Sequence, residues 1–159
     1  MKTTKNTLTS YFEADHERLD SLFQSYRRMR SKDAAEAKPY FREFFKGLKR
    51  HIVWEEDVLF PFLEKGTGVT AGPTEVMRQE HREIGALLRR IHDKVRQGDT
   101  LDNEDEDTLI DILTAHNQKE EDVLYPAIDQ ILKEGEAAKI FLAMECIPAE
   151  RFASCCGNH

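Results

Sequence analysis

Two stretches constrain this chain more than any other feature: HIVWEEDVLFP at 51–61 and HNQKEEDVLYP at 116–126. Each sets a histidine four residues ahead of a glutamate and closes on a proline, and the two stand 65 residues apart. The same offset relates His16 to His81, in the contexts ADHERLDSLF at 14–23 and QEHREIGALL at 79–88. Landmarks that repeat at one offset without a gap mark a tandem duplication, and a long internal period decides the architecture before any local reading does. Each unit contributes one lone histidine and then one His-x-x-x-Glu.

The apolar residues recur at helical spacing throughout. Ser10 and Glu13 form a capping box that predicts a first helix from Ser10 to about Arg30. Asp33 caps a second over roughly Ala34 to Leu63, which Pro61 should kink or end. The stretch GTGVTAGP at 66–73 reads as a loop. A third helix is expected over about Thr74 to Gln97, and a fourth over Asn103 to Lys133 with Gly135 as its stop. A short fifth spans about Glu136 to Cys146. The fold class that follows is all-α: an up-down antiparallel four-helix bundle of two duplicated helix pairs, plus that fifth helix. The expected division is a bundle domain over 1–147 and a tail over 148–159.

Residues four apart on a helix lie about 40° apart around it and one turn along. His51 and Glu55 therefore share a face with Phe44, Leu48, Val58 and Phe62. His116 and Glu120 share theirs with Leu109, Leu113, Val123 and Ala127. His16 falls with Phe12, Leu19 and Phe23, and His81 with Met77, Ile84 and Leu88. Four histidines and two glutamates thus point into the core, while Glu56, Asp57, Glu121 and Asp122 read as solvated surface. One histidine on an apolar face is ordinarily a satisfied core residue. Six polar residues placed inward at a common offset need a different account, because two unpaired buried carboxylates are very costly. A pair of divalent metal ions removes that cost. The mixed imidazole and carboxylate set suits iron, manganese or zinc. Glu55 and Glu120 can each bridge two ions, with two histidines completing each and positions left for a small exogenous ligand.

Composition excludes several other roles. The net charge of −7 gives no electrostatic support for tracking a nucleic-acid backbone. No apolar run approaches a membrane span. The first residues, MKTTKNTLTSYFEADHE, lack the apolar core of a signal peptide, so a cytoplasmic protein is expected. Cys146, Cys155 and Cys156 all lie near the C-terminus and do not form a disulfide framework.

His16, His51-x-x-x-Glu55, His81 and His116-x-x-x-Glu120 together resemble the pattern of hemerythrin-like (HHE cation-binding) proteins over residues 10–133. The resemblance implies a non-haem di-iron centre, two iron ions bridged by Glu55 and Glu120, that binds O2 or, in some members, NO or peroxide. Oxygen-carrying members have a His-x-x-x-His on the third helix, whereas Met77 and Gly85 occupy the positions four away from His81. They also have five-residue spacing to an aspartate in the last motif. The four-His, two-Glu set is closer to the bacterial iron–sulfur-cluster repair proteins of nitrosative stress. Ferritin-like oxidases, with Glu-x-x-His spacing and a carboxylate majority, fit less well.

Three functional classes follow. One is a binding module that senses, stores or scavenges a diatomic ligand. Another is a reactive-iron protein: an iron donor in repair, a peroxide-consuming centre or a ferroxidase. The third is a structural partner whose metal only holds the bundle together. A reactive centre wants a proton donor or redox tyrosine near the metal. From helical phase, Tyr11, Tyr26, Tyr40 and Tyr125 are not on the ligand layer, which favours the binding class. Asp20, one turn from His16, is a candidate to orient that imidazole. His92 lies about 16 Å of helix rise from His81 and reads as a bundle-end residue. Trp54 reads as packing beside the site.

Overall fold

The computed structural model describes residues 7–98 and 103–152. Among these there are seven α-helices: α1 (Leu8–Arg30), α2 (Ala34–Trp54), α3 (Phe60–Thr67), α4 (Pro73–Gln97), α5 (Glu104–Lys119), α6 (Tyr125–Ile131) and α7 (Glu136–Glu145). A π-helical turn over Glu55–Leu59 joins α2 to α3, and another over Glu120–Leu124 joins α5 to α6. Each joined pair runs on as one long arm, so the molecule is the expected four-helix bundle, with α7 closing one end.

The ends of the helices show what sets them. Thr7, not Ser10, is the N-cap of α1: its hydroxyl oxygen accepts from the Ser10 N–H at 3.0 Å. The next free amides of that helix are met from across the bundle, where the Asp129 carboxylate of α6 accepts from Leu8 N and Thr9 N, both at 3.0 Å. Such free donors at a helix start need a partner, and no local spacing announces one 120 residues away. Asp33 caps α2 as expected, accepting from the Ala35 and Glu36 amides. Gly68 ends α3 at φ 73° and Gly98 ends α4 at φ 76°, left-handed positions that glycine takes without strain. Gly135 is not the stop of the fourth arm. That arm ends at Ile131 with Leu132 extended, and Gly135, at φ 82°, opens α7.

The prolines neither break nor end their arms. A proline cannot donate to the carbonyl four residues back and crowds it. In both copies the helix absorbs this by widening just ahead of the proline, where the amides of Phe60 and Tyr125 bond back five residues to Glu55 and Glu120. The extra residue per turn rotates everything beyond it by roughly 100°. The core face therefore slips by one position: Leu59, Phe60 and Leu63 are buried where Val58 and Phe62 were expected. On the other arm Leu124, Tyr125 and Ile128 replace Val123 and Ala127, and Val123 is 58% exposed.

The apolar core falls into two clusters. One gathers Leu19, Phe23, Phe44, Leu48, Ile84 and Leu109. The other gathers Phe12, Leu59, Phe60, Leu124 and Ile128, with Ile140 and Met144 of α7 laid over it. His16, His51, Glu55, His81, His116 and Glu120, all buried, belong to neither cluster. At one end buried Glu106 of α5 meets Arg27, at 3.3 Å, and Arg30 of α1. His92, also buried, packs on the Phe45 ring at 4.8 Å and stays a core residue. Trp54 packs against Phe12 under the Arg50 guanidinium. Beyond α7, the turn Ala149–Arg151 is tied to Asp57 through Arg151. Cys146 is exposed; Cys155, Cys156 and His159 lie outside the described residues. No helix among the described residues is long and apolar enough to cross a membrane.

Candidate metal centre

The two arms that contain π-turns bring both His-x-x-x-Glu pairs to one level, and α1 and α4 add the lone histidines opposite. All six sequence-predicted residues meet there. Potential ligand atoms of Glu55, His81, His116 and Glu120 lie within 4.8 Å of one another, as do those of His16, His51 and Glu120. Each carboxylate touches a histidine from either pair. Glu55 Oε1 is 3.5 Å from His51 Nε2 and 3.2 Å from His81 Nε2. Glu120 Oε1 is 3.3 Å from both His16 Nε2 and His116 Nε2. Both carboxylates are fully buried.

The outer ring nitrogens face a second, equally duplicated set of acids. His51 Nδ1 donates to Asp15 Oδ2 at 2.8 Å and His116 Nδ1 to Glu80 Oε1 at 2.9 Å. Glu121 lies 3.5 Å from His16 Nδ1, and Glu56 lies 3.8 Å from His81 Nδ1. The bonds to His51 and His116 fix the tautomer and leave Nε2 facing inward as a lone-pair donor, the usual support for a metal-binding imidazole. By contrast, Nδ1 of His16 and of His81 faces its acid without a hydrogen bond. Two expectations are corrected here. Glu56 and Glu121 are not plain surface residues, and Asp20 is exposed, so the acid beside His16 is Glu121 instead. The missed signal was in the sequence: Asp15 and Glu80 directly precede the two lone histidines, at the same 65-residue offset.

The larger correction is Tyr125. The π-turn swings it into the ligand layer, fully buried. Its hydroxyl donates to Glu55 Oε2 at 2.8 Å, lies 3.0 Å from Glu120 Oε1, and is 3.2 Å from the Nε2 atoms of both His16 and His51. Burial, then the charges of Glu55 and Glu120, push its pKa well above the usual phenol value, so it keeps its proton. The repeat-related residue is Phe60, whose ring stacks on His81 at 5.6 Å. A polar ring thus attends one histidine pair and an apolar ring the other.

The electrostatics are those of a site built for cations. Burial and the neighbouring charge of Glu120 raise Glu55. Glu120 is held well below the carboxylate range: burial opposes this, but contacts with Glu55, His116 and His16 outweigh it. Burial alone would lower His51, His81 and His116, yet their carboxylate neighbours raise all three, His81 to about 10.

The donor set fits a pair of first-row metal ions. His16 Nε2 and His51 Nε2 are 3.1 Å apart, close to the roughly 3 Å expected for two nitrogens at right angles on one ion at about 2.1 Å. Glu55 Oε1, Glu120 Oε2 and His81 Nε2 are buried without a hydrogen-bond partner. Buried polar atoms are nearly always satisfied, and a cation is the partner that both carboxylate oxygens and imidazole nitrogens share.

An up-down bundle with a buried layer of four imidazoles and two carboxylates defines a class of cation-binding helical proteins. The chain belongs to the hemerythrin HHE cation-binding domain family, which it matches over residues 7–128. It is similar to a protein named DNA nickase from Nostoc sp., 30% identical over 124 residues, or 72% of this chain and 31% of that protein. It is also similar to the iron–sulfur cluster repair protein YtfE of Escherichia coli and of Shigella boydii, 42% identical over 53 residues, or 33% of this chain and 24% of theirs. The matches thus span less than a third of these curated relatives. No solved structure matches.

Proposed function

We propose that the six-residue layer holds two iron ions, bridged by Glu55 and Glu120, and that the protein binds a small ligand there, O2, NO or peroxide, in oxygen sensing or storage or in a stress response. The observation that carries the proposal is the polar layer itself, with five buried ligand-type atoms that have no hydrogen-bond partner and an acid beside every histidine. His16 and His51 would hold one ion and His81 and His116 the other. When bound, the iron pair supplies the open coordination and the electrons that capture of such a ligand needs. The chain does the rest. Asp15 and Glu80 hold the His51 and His116 imidazoles in register, the flanking apolar clusters exclude water, and Tyr125 offers its O–H to whatever oxygen or nitrogen atom enters beside it.

Tyr125 also gives weight to a second reading, the reactive-iron class: an iron donor in cluster repair, a peroxide-consuming centre or a ferroxidase. A proton donor on the ligand layer is what that class requires, and the likeness to YtfE points the same way. One experiment separates the two. The iron-loaded protein is reduced without air, exposed to O2 and flushed again while its absorption is recorded. A visible band that appears and reverses is expected for the binding reading. Irreversible oxidation without a lasting adduct would overturn it in favour of reactive iron.

A further inference from the structure

A cleft of about 360 Å³ opens between α1 and α5. Leu19, Phe23, Leu48 and Leu113 make its apolar wall. Glu17, Asp20 and Glu121 stand along it with no lysine or arginine among its lining residues. Of the six predicted ligands only His16 lines it. His16 is 7% exposed, its Nδ1 has no hydrogen-bond partner, and that nitrogen lies 3.5 Å from Glu121.

The duplication supplies an internal control, because each residue that α1 and α5 contribute to this cleft has a counterpart 65 positions away on α4 or α2. The ligands and their acids are preserved between the two sides; the approach to them is not. Arg82 stands for Glu17, Gly85 for Asp20 and Lys49 for Thr114. Buried Phe45 stands for Ile110, and Ile52, packed against the core, stands for Asn117. The acidic approach on one side has become a basic and more apolar one on the other. The inner ends differ in the same sense, since Tyr125 attends His16 and His51 and Phe60 covers His81.

We infer that the two metal positions are not equivalent: the α1–α5 cleft is an entry port for a hydrated divalent cation, Fe2+, and it serves the His16/His51 position first. This rests on the di-iron reading above. Glu17 and Asp20, both exposed and neither paired with a cation among the described residues, draw the ion to the mouth. Glu121 and His16 then replace part of its water shell on the way to His51 and Glu120. Opposite charge lining a low-dielectric cleft raises the local concentration of a cation and its entry rate.

The test is Fe2+ uptake by the metal-free full-length chain, without air, stopped at intervals with a chelator that takes only free iron. Wild type is expected to take up two ions in two phases of equal amplitude, at least tenfold apart in rate. Glu17→Arg with Asp20→Asn should slow the fast phase about tenfold at low salt, and less at high salt, with two ions still held at the end. Asn117→Ile, which copies the apolar residue at the counterpart position, should slow the fast phase at any salt concentration. Arg82→Glu should change neither phase. A single phase for both ions, or a fast phase untouched by both cleft variants, would overturn the port. A wild-type endpoint below two ions would instead sink the di-iron reading on which it rests.

Discussion

Replacing Tyr125 with phenylalanine deletes one oxygen atom from the middle of the polar layer. The ring itself has a precedent, since Phe60 fills the repeat-related position, so packing should survive. What is lost is a donor that bonds Glu55 at 2.8 Å and lies 3.0 Å from Glu120. A hydroxyl has one proton and donates to one acceptor at a time, so the contacts do not add. A single hydrogen bond to a buried charged group contributes about 2 kcal/mol. In a domain of this size that corresponds to a fall in Tm of about 4–8 °C. The full effect is expected only in the metal-free protein, where two buried carboxylates depend on protein donors. With metal bound, the carboxylates face cations, and the loss should shrink to under about 1 kcal/mol. Thermal unfolding of both proteins, each with and without saturating iron, gives the comparison. Equal destabilisation in the two forms, or none without metal, would refute the claim that Tyr125 helps to hold the carboxylate pair.

Metal loading should release protons. His81, raised to about 10, stabilises the metal-free fold fully below its ordinary value near 6.5, and that contribution fades as pH rises through about 10. A metal needs the neutral ring, so loading at pH 7.5 should acidify a weakly buffered solution, and affinity should climb with pH over that window. An unchanged indicator dye would count against it. Asp15→Asn should weaken metal affinity by about 10–100-fold in competition with a chelator, while Asp20→Asn leaves the equilibrium affinity unchanged. Asp129→Ala strips the partners from the start of α1 and should cost about 1–2 kcal/mol, read as a Tm lower by about 2–8 °C.

The six inward residues and the duplicated bundle could be read from the sequence because histidine, glutamate and proline recur at one offset, and a ligand pair at four-residue spacing shares a helix face. What could not be read was the phase of the helix beyond each glutamate. A uniform 3.6-residue period carried Val58, Phe62, Val123 and Ala127 inward and left Tyr125 outside the ligand layer. The π-turns reverse that, and the only written trace of them is a proline after each EEDVL stretch. The Asp129 cap was hidden for another reason: its partners lie 120 and 121 residues away, beyond the reach of any local rule. The orienting acids were legible after all, since Asp15 and Glu80 each stand one residue ahead of a histidine already singled out.

The central claim is that Glu55 and Glu120 bridge a pair of irons. Its most direct test is the iron content of the purified full-length chain, loaded without air and freed of excess metal, for wild type, Glu55→Ala and Glu120→Ala, with circular dichroism to show that each variant keeps its helices. Two irons per wild-type chain and loss of metal from both folded variants is the result expected. Two irons retained by either variant would contradict the bridging assignment.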